Sequence, residues 1–542
     1  MEYTNIPKEK FRFADPERRM VDKKFDTKQM SYSKDVFVRF CKNKSSVIAA
    51  IIILLLVLFA IFVPMFCETQ YSLSLTDNTY LEYKYYLPKA ELFENSGFWD
   101  GGKDKQINRI DYLKLLALSQ ETGNRTIIKE YKSNYYQTDV YGNIIGDETD
   151  TYYDIRWDSY GGVGMMYLGV DKSEFEKIQA WQNIEGNPQV IYPAINYDLK
   201  DSKGNTYVDK KKYGTDASVW YKLDKETGDP ILDADDNFIP AYASANHSKF
   251  QALRYTDPQY YSYNSKRIEG DNGDLIYALV EVQTFGETKS ANYTIRVDKD
   301  AYFQYRYGHE PSFLFGTNEK GQDILTRLAS GARFSLVLAI CISAINLFIG
   351  AIYGAIEGFY GGTIDLVMER ISDVLGGMPS MVVMSLFQLH LASKVGPVWS
   401  MAFAFILTGW LGMAARTRMQ FYRFKRQEYV LSARTLGASD ARLMFKHIFP
   451  NAMGTLITGS ILMIPGVIFS ESSLTYLGIV NLEGSTQTSV GTLLSNASGE
   501  LTANPHLILF PALFISLLEI SFNLFGNGLR DAFNPSLKGV DD

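Results

Sequence analysis

The stretch Val47–Met65 reads VIAAIIILLLVLFAIFVPM and carries no charged residue. It has about the ~20 apolar residues that an α-helix needs to cross the hydrocarbon core of a bilayer, where each backbone polar group must be satisfied within the helix itself. A cleaved signal peptide is the competing reading. The run lies behind residues 1–46, however, and no small-residue cleavage site follows it. Lys34, Arg39, Lys42 and Lys44 precede it, and an excess of Lys and Arg beside a span is held on the cytoplasmic side. The chain is thus expected to start in the cytoplasm and to emerge outside after Met65.

The 542 residues exceed one compact core and leave room for two or three structural units. A hydrophobic fraction of 46% with a mean hydropathy of only −0.11 fits a mixture of very apolar and very polar segments. The net charge of −7 argues against a nucleic-acid binder, which needs concentrated Lys and Arg for phosphate contacts. Cys41, Cys67 and Cys341 lie far apart, with no CxxC pair for zinc or redox chemistry.

From about Glu68 to Tyr307 the chain is polar and rich in tyrosine, with no apolar run long enough to span. Turn signals recur at Tyr141-Gly142-Asn143, Lys203-Gly204-Asn205, Thr227-Gly228-Asp229 and Asp235-Asp236-Asn237, each flanked by β-prone residues. Leu275–Val282 and Ala291–Val297 alternate apolar and polar residues around Gly286, which predicts a strand pair. Ile110–Ser119 carries a leucine-rich helical stripe. Asp171–Trp181 begins with an Asp cap followed three residues later by Glu174, a capping-box arrangement. A mixed α/β extracytoplasmic domain follows.

Further spans are expected near Phe334–Tyr353, Ile371–Leu391, Val398–Ala415, Leu456–Phe469 extended on either side, and Leu507–Leu524. With the first they make an α-helical polytopic membrane protein of about six transmembrane helices, with the α/β domain inserted between helices 1 and 2. An even count returns the C-terminus, with Arg530 and Lys538, to the cytoplasm. The expected divisions are a cytoplasmic segment 1–45, a first helix 46–66, an extracytoplasmic domain 67–308 and a multi-span membrane domain 309–542. The basic stretch Arg416–Lys446, with Arg418, Arg423, Lys425, Arg426, Arg434 and Arg442, falls inside both by its charge and by the span count.

Within it, EYVLSARTLGASD runs from Glu428 to Asp440, then ARLMFKHIFPN to Asn451. This reads as a short helix, a glycine break and a second helix. Gly437 can take the left-handed conformation that ends a helix, Ser439 can cap the next, and Pro450 is expected to stop that one before the membrane. A solvated basic loop is the plainer reading of Arg and Lys between spans, but it does not account for this order of residues.

That order resembles the EAA loop of ABC importer permeases of the dipeptide/oligopeptide family. Glu428, Tyr429, Val430, Ala433, Arg434, Leu436, Gly437, Ala438, Ser439, Pro450 and Asn451 match a run similar to EYVEAARALGAS with a second helix and a PN. Leu431 and Ser432 depart from it, so the acidic residue that names the loop is absent and Glu428 is the nearest carboxylate. VRFCKNKSS at Val38–Ser46 with Pro64 resembles the family's lead into its first helix. Phe315-Gly316-Thr317-Asn318 through Gly321-Gln322-Asp323, with Arg327, Gly331, Ala332, Arg333 and Ser335, is similar to the approach to the second. Gly358–Gly362, Asp373 and Pro379-Ser380 look like the turn and opening of the third. Phe522–Asp531 with Asn534-Pro535 resembles the terminal signature, with Asn527 where Asp is commoner. The likeness covers about 36–66 and 309–538, and not the tyrosine-rich insert.

The resemblance implies a permease subunit that forms the translocation path for oligopeptides or dipeptides by alternating access. It implies as partners a homologous permease, two ATP-binding subunits and an extracellular substrate-binding protein or lipoprotein, in a multi-pass protein of the cell membrane with both termini cytoplasmic. It places contact with the ATPase in loop 417–451, at Glu428, Ala433, Arg434, Gly437, Ala438, Ser439 and Asp440. It implies no catalytic residue and no cofactor on this chain, with ATP and Mg on the partner subunits. Members of the wider family carry nickel or other small solutes, an alternative the sequence leaves open. A membrane-anchored surface receptor is the reading from another class; one or two helices would suffice for it.

Gly316–Asp323 is the nearest approach to a phosphate-binding loop. It lacks the Lys, so a turn leading into the helix is the better reading. His247, His309, His390, His447 and His506 have no metal-ligand spacing. Asp233, Asp235 and Asp236 lack the glycine and terminal Glu of a calcium loop and read as a hairpin turn. Glu369, Asp373, Gln388, His390 and Glu471 lie at or near span ends, where they face either the protein interior or water. Tyrosine in the insert is read as ordinary β-rich core and surface ahead of a peptide-binding face.

Overall fold

The computed structural model describes residues 32–71, 83–94, 96–138, 141, 144–145, 151–199, 216–224, 226–244, 265–269, 275–285, 288–482 and 488–533. The expected turns at Gly142-Asn143, Lys203-Gly204-Asn205 and Gly286, as well as His247 and Asn534-Pro535, lie outside these residues. A short amphipathic helix, α1 (Tyr32–Lys42), leads into α2 (Lys44–Tyr71), whose 44–66 portion is long and apolar enough to cross a membrane. Their N-terminal ends pack on the end of the last helix. Ser46 donates its hydroxyl to the Leu524 carbonyl at 3.2 Å, and a Cβ at Gly528 would overlap that hydroxyl.

The insert then builds two antiparallel sheets. Strands β1 (Gly102–Asn108), β2 (Ile127–Tyr136) and β3 (Thr151–Asp158) lie in the order β1-β3-β2, and α3 (Arg109–Thr122) joins β1 to β2. Asn108 caps α3 by accepting the Asp111 N–H, and Gly123 ends it at φ 75°. The second sheet holds β4 (Met165–Val170), β5 (Ile191–Tyr192), β6 (Ser265–Glu269), β7 (Ala278–Phe285) and β8 (Thr288–Asp298). Its order is β4-β8-β7-β6, with β5 also on β8. The expected pair around Gly286 is β7–β8, starting at Ala278 rather than Leu275, which makes an isolated bridge to Ser244. Helix α4 (Lys172–Gln182) is capped by Asp171, which accepts the Glu174 N–H. The Glu174 carboxylate accepts the Tyr305 hydroxyl instead of closing the expected box. With α5 (Lys299–Tyr307), α4 covers β4 and β8 through Phe175, Ile178, Val297 and Tyr302. In the expected turns at Thr227-Gly228-Asp229 and Asp235–Asn237, Gly228 has φ 74°, and the Asp233 carboxylate accepts the N–H groups of Asp235 and Asn237.

Beside α5, Asp298 and Asp300 line a cavity of about 440 Å³ with Lys89, Arg125 and Asp158. Asn124 donates to Asp298 and Tyr86 donates to Asp300. Burial pushes both carboxyls above the usual aspartate range, and the Asp298 charge pushes Asp300 further. Because the folded domain holds these protons more tightly than the unfolded chain does, their stabilising contribution is complete below about pH 4 and is lost as pH rises through the folded values. Thermal unfolding of the full chain, followed by protease sensitivity of the insert, is therefore expected to move to lower temperature between pH 5 and pH 8. Asp300→Asn should flatten that slope, and an unchanged slope would refute the assignment.

Tyr83–Tyr86 at the start of the insert and Phe313–Asp323 after α5 together close it onto the bundle. Tyr83, Tyr86, Tyr160, Phe303 and Phe313 form one buried aromatic cluster. The Tyr86 N–H donates to the Thr317 hydroxyl, and the Thr317 N–H to the Tyr86 carbonyl. Gly316, at φ 78°, has no room for a side chain: an added Cβ would sit 2.4 Å from the Tyr86 carbonyl oxygen. The N–H groups of Gly316, Thr317, Asn318, Gly321 and Gln322 are all bonded within this turn or to Tyr86, so it is a joint between insert and bundle. Asp323 then caps α6 (Ile324–Tyr360) by accepting the N–H groups of Leu325 and Thr326.

Helix α6 has 37 residues, a length of about 55 Å. It is followed by α7 (Gly362–Gly376), α8 (Ser380–Val395), α9 (Pro397–Gly409), α10 (Leu411–Phe424) and α11 (Glu428–Thr435). Then come the helical turn Asp440–Arg442, α12 (Phe449–Ile461), α13 (Met463–Tyr476), α14 (Val490–Ala497) and α15 (His506–Phe533). Among the described residues, five helical segments are long and apolar enough to cross a membrane, or six if the pair α7–α8 counts as one span. That pair lies where the third span is expected, over Ile371–Leu391, and it is broken rather than continuous. It bends by 72° between Gly376 and Ser380, because Pro379 takes extended backbone and cannot continue α7. Gly350, Gly354 and Gly358 line one face of α6 and admit the backbone of α10 to contact; a Cβ on Gly354 would lie 2.1 Å from the Ala414 carbonyl oxygen.

Candidate functional site

The helix–glycine–helix segment sits at the Tyr360 end of α6, and the insert at the Ile324 end. Val430 from α11 and Leu443, Met444 and Ile448 from the following helix are buried with Ala355, Phe359 and Phe421. This apolar underside fixes the knob to the bundle. Ala433 and Ala438 pack at its edge, and the Ala438 N–H donates to the Ala433 carbonyl. Gly437 has φ 84°, the left-handed turn expected of it. Glu428 opens α11 and is exposed. Arg434 is exposed along its edge, with its guanidinium 5.7 Å from the centroid of Phe359, and Asp440 opens the second helix on the surface.

Two expectations need correction. Ser439 holds the N-cap position, but its side chain makes no capping bond; its carbonyl accepts the Leu443 N–H. Nor does Pro450 stop the second helix. Leu443–Ile448 is wound as a π-helix, and Pro450 falls in the first turn of α12, where its missing N–H is not needed. The helix therefore continues through Leu462 to Tyr476, so the knob is the end of a membrane-crossing rod, Asp440–Tyr476. Asn451, next to that proline, donates to the Tyr429 hydroxyl at 3.1 Å and ties the two arms together. Burial raises the Tyr429 hydroxyl above its usual range.

The sequence reading brought together the small and charged residues of the turn and missed its apolar outer face. Leu436 is 88% exposed, and Leu431, Tyr429 and Phe445 are exposed beside it. The departure of Leu431 from an acidic residue was the signal available. Also missed was Arg418 on α10. It donates to Asp365 at 2.6 and 2.9 Å and to Glu369 at 2.8 and 3.1 Å, with Glu357 at 3.5 Å, clamping α7 to α6 and α10. Glu369 is thus occupied structurally. Glu471 is too, accepting from Ser335 and Thr475. Asp373 pairs with Arg370, and Gln388 donates to the Pro397 carbonyl.

A bundle of long apolar helices, with a helix–glycine–helix knob continuous with one rod, defines a polytopic helical membrane protein. The chain belongs to the family of binding-protein-dependent transport system inner membrane components. That family's profile matches residues 346–539, and the profile described as the N-terminal transmembrane domain of oligopeptide transport permease C matches 31–88. The chain is 41% identical over 224 residues to the oligopeptide transport system permease protein OppC of Bacillus subtilis, covering 41% of this chain and 72% of the relative. It is 38% identical to the dipeptide transport system permease protein DppC of the same organism, covering 41% and 69%. To DppC of Lactococcus lactis it is 31% identical, covering 51% and 78%. Neither profile match includes residues 89–345, where the insert lies.

Proposed function

We propose that this chain is the permease subunit of an ATP-driven importer of peptides in the cell membrane. Together with a homologous permease it forms the path for oligopeptides or dipeptides handed over by an extracellular binding protein. Two ATP-binding subunits carry the ATP and Mg, and this chain carries no catalytic residue. The observation that supports this best is the knob, a left-handed glycine between two helical arms, in a chain similar to permeases named for oligopeptide and dipeptide transport. A reoriented Asp440–Tyr476 rod transmits movement of the knob directly into the bundle.

The knob faces the cytoplasm in this reading, and the insert, at the opposite end of α6, stands outside over the mouth of the path. With both termini cytoplasmic, an impermeant thiol reagent applied to intact cells is expected to label a cysteine introduced at Ser202 and to spare one introduced at Ser432; the reverse pattern overturns the topology. The activity is tested by uptake of labelled peptides in a strain deleted for this chain, and by recovery of ATP-binding subunits with the tagged protein. Unimpaired peptide uptake, with lost uptake of nickel or another small solute, would favour the alternative substrate class.

A further inference from the structure

Between α6 and α9 lies a cavity of about 520 Å³ whose walls are mostly apolar, including Val337, Ile345 and Trp399. Its volume is within the range of small-molecule sites. Arg333, Val337, Cys341 and Ile345 follow one another at four-residue steps along α6, so they form one stripe facing the cavity. Arg333 is half-buried, and among the described residues it makes no hydrogen bond or ion pair. Thr488, on the opposite wall, is buried, and among the described residues its hydroxyl has no hydrogen-bond partner. Two other charged side chains of the bundle show the contrast: Arg418 meets three carboxylates, and Glu471 accepts from Ser335 and Thr475.

Arg333 thus keeps its guanidinium accessible at an apolar cavity wall, and charged residues within spanning segments mark substrate pathways. A buried hydroxyl without a partner is likewise an unmet donor. Two unmet donors on an otherwise apolar cavity call for an occupant with an anionic acceptor at one end and an apolar body behind it. A guanidinium binds a planar carboxylate through two parallel bonds. We propose that this cavity is a substrate station in which Arg333, helped by Thr488, holds the C-terminal carboxylate of the transported peptide while its last side chains lie against the Val337–Ile345 stripe and Trp399. The inference rests on the peptide-importer reading and names how that substrate is recognised.

Cys341 on the same stripe is exposed and is a native reporter. In a Cys41→Ser, Cys67→Ser background, the complex is purified by a tag on this chain and reconstituted in phosphatidylcholine. A maleimide then reads Cys341 accessibility against a leucine-rich hexapeptide or its C-terminal amide. The free-carboxylate peptide is expected to protect Cys341. The amide, or Arg333→Met with the free peptide, should need about 10- to 100-fold more peptide for half-protection, the size of one charge-assisted hydrogen bond. Arg333→Lys should recover part of this, and Thr488→Val should cost a few-fold. If Arg333→Met fails to assemble, the amide comparison and Thr488→Val decide alone. Equal protection by both peptides, or protection that follows added anionic phospholipid and ignores peptide, overturns the carboxylate station. Peptide uptake into the vesicles with no protection of Cys341 overturns it while leaving the importer reading intact. Neither uptake nor protection removes the peptide reading, and this inference with it.

Discussion

Replacement of Gly437 by valine is expected to leave the chain folded and inserted but to lower transport by the complex at least about 5- to 30-fold, the change that one to two kcal/mol makes in a two-state balance. The reason is local. Gly437 sits at φ 84°, where an L-residue with a branched Cβ pays roughly 1–2 kcal/mol of backbone strain. No atom lies within 4 Å of where a Cβ would stand, so packing offers no resistance and gains nothing. The strain is relieved by rotating the turn, which tilts the Ser439–Asp440 start of the rod and misplaces Leu436 relative to α11. ATP hydrolysis by the purified complex should persist while peptide uptake falls. Gly437→Asn, which tolerates the left-handed region, should retain most of the uptake. A valine variant with the parent's coupling of hydrolysis to uptake would exclude the knob as the docking element.

How much of this could be read beforehand depended on how local the determining physics is. The first span was legible because an uncharged run such as Val47–Met65 has one solution in lipid. Gly437 was legible because only the left-handed turn explains a glycine between those two helical patterns. The cap at Asp171 is likewise decided within four residues. Hydropathy misses what depends on partners distant in the chain. It cannot see the 72° bend of α7–α8, whose apolar residues are the same whether the pair is straight or broken. It reads Pro450 as a stop because it does not count the π turn that accommodates the proline. In the insert, β4 and β8 pair across more than a hundred residues, so strands were visible while their partners were not. Arg333 and Thr488 are far apart in sequence, and only the fold puts them on one cavity.

Arg296→Met is expected to destabilise the insert by about 3–5 kcal/mol, the cost of breaking a fully buried ion pair. The Arg296 side chain is 0% exposed and its partner Glu121 3%. The guanidinium donates to both carboxylate oxygens of Glu121 at 2.6 Å, and also to the carbonyls of Ala217 at 2.6 Å and Pro193 at 3.3 Å. Glu121 ends α3 over the first sheet, and Arg296 lies in the central strand β8 of the second. The pair therefore joins the two cores, beside the hydrogen bonds of Asn124 to Asp298 and Tyr242 to Glu121. Methionine fills the volume but leaves the buried Glu121 carboxylate without its counter-charge, still accepting from the Tyr242 hydroxyl, and takes the guanidinium from two carbonyls, so the loss is electrostatic rather than steric. For a domain of this size the insert's unfolding temperature should fall by roughly 10 °C, measured by protease sensitivity in the full chain. Adding Glu121→Leu should recover most of the loss, because removing both charges removes the orphaned group. Helices α6 and α15 hold the membrane bundle through separate contacts, so the same variant should still insert and still bind its ATP-hydrolysing partners. Loss of insertion along with insert stability would mean that the insert braces the bundle instead of resting on it.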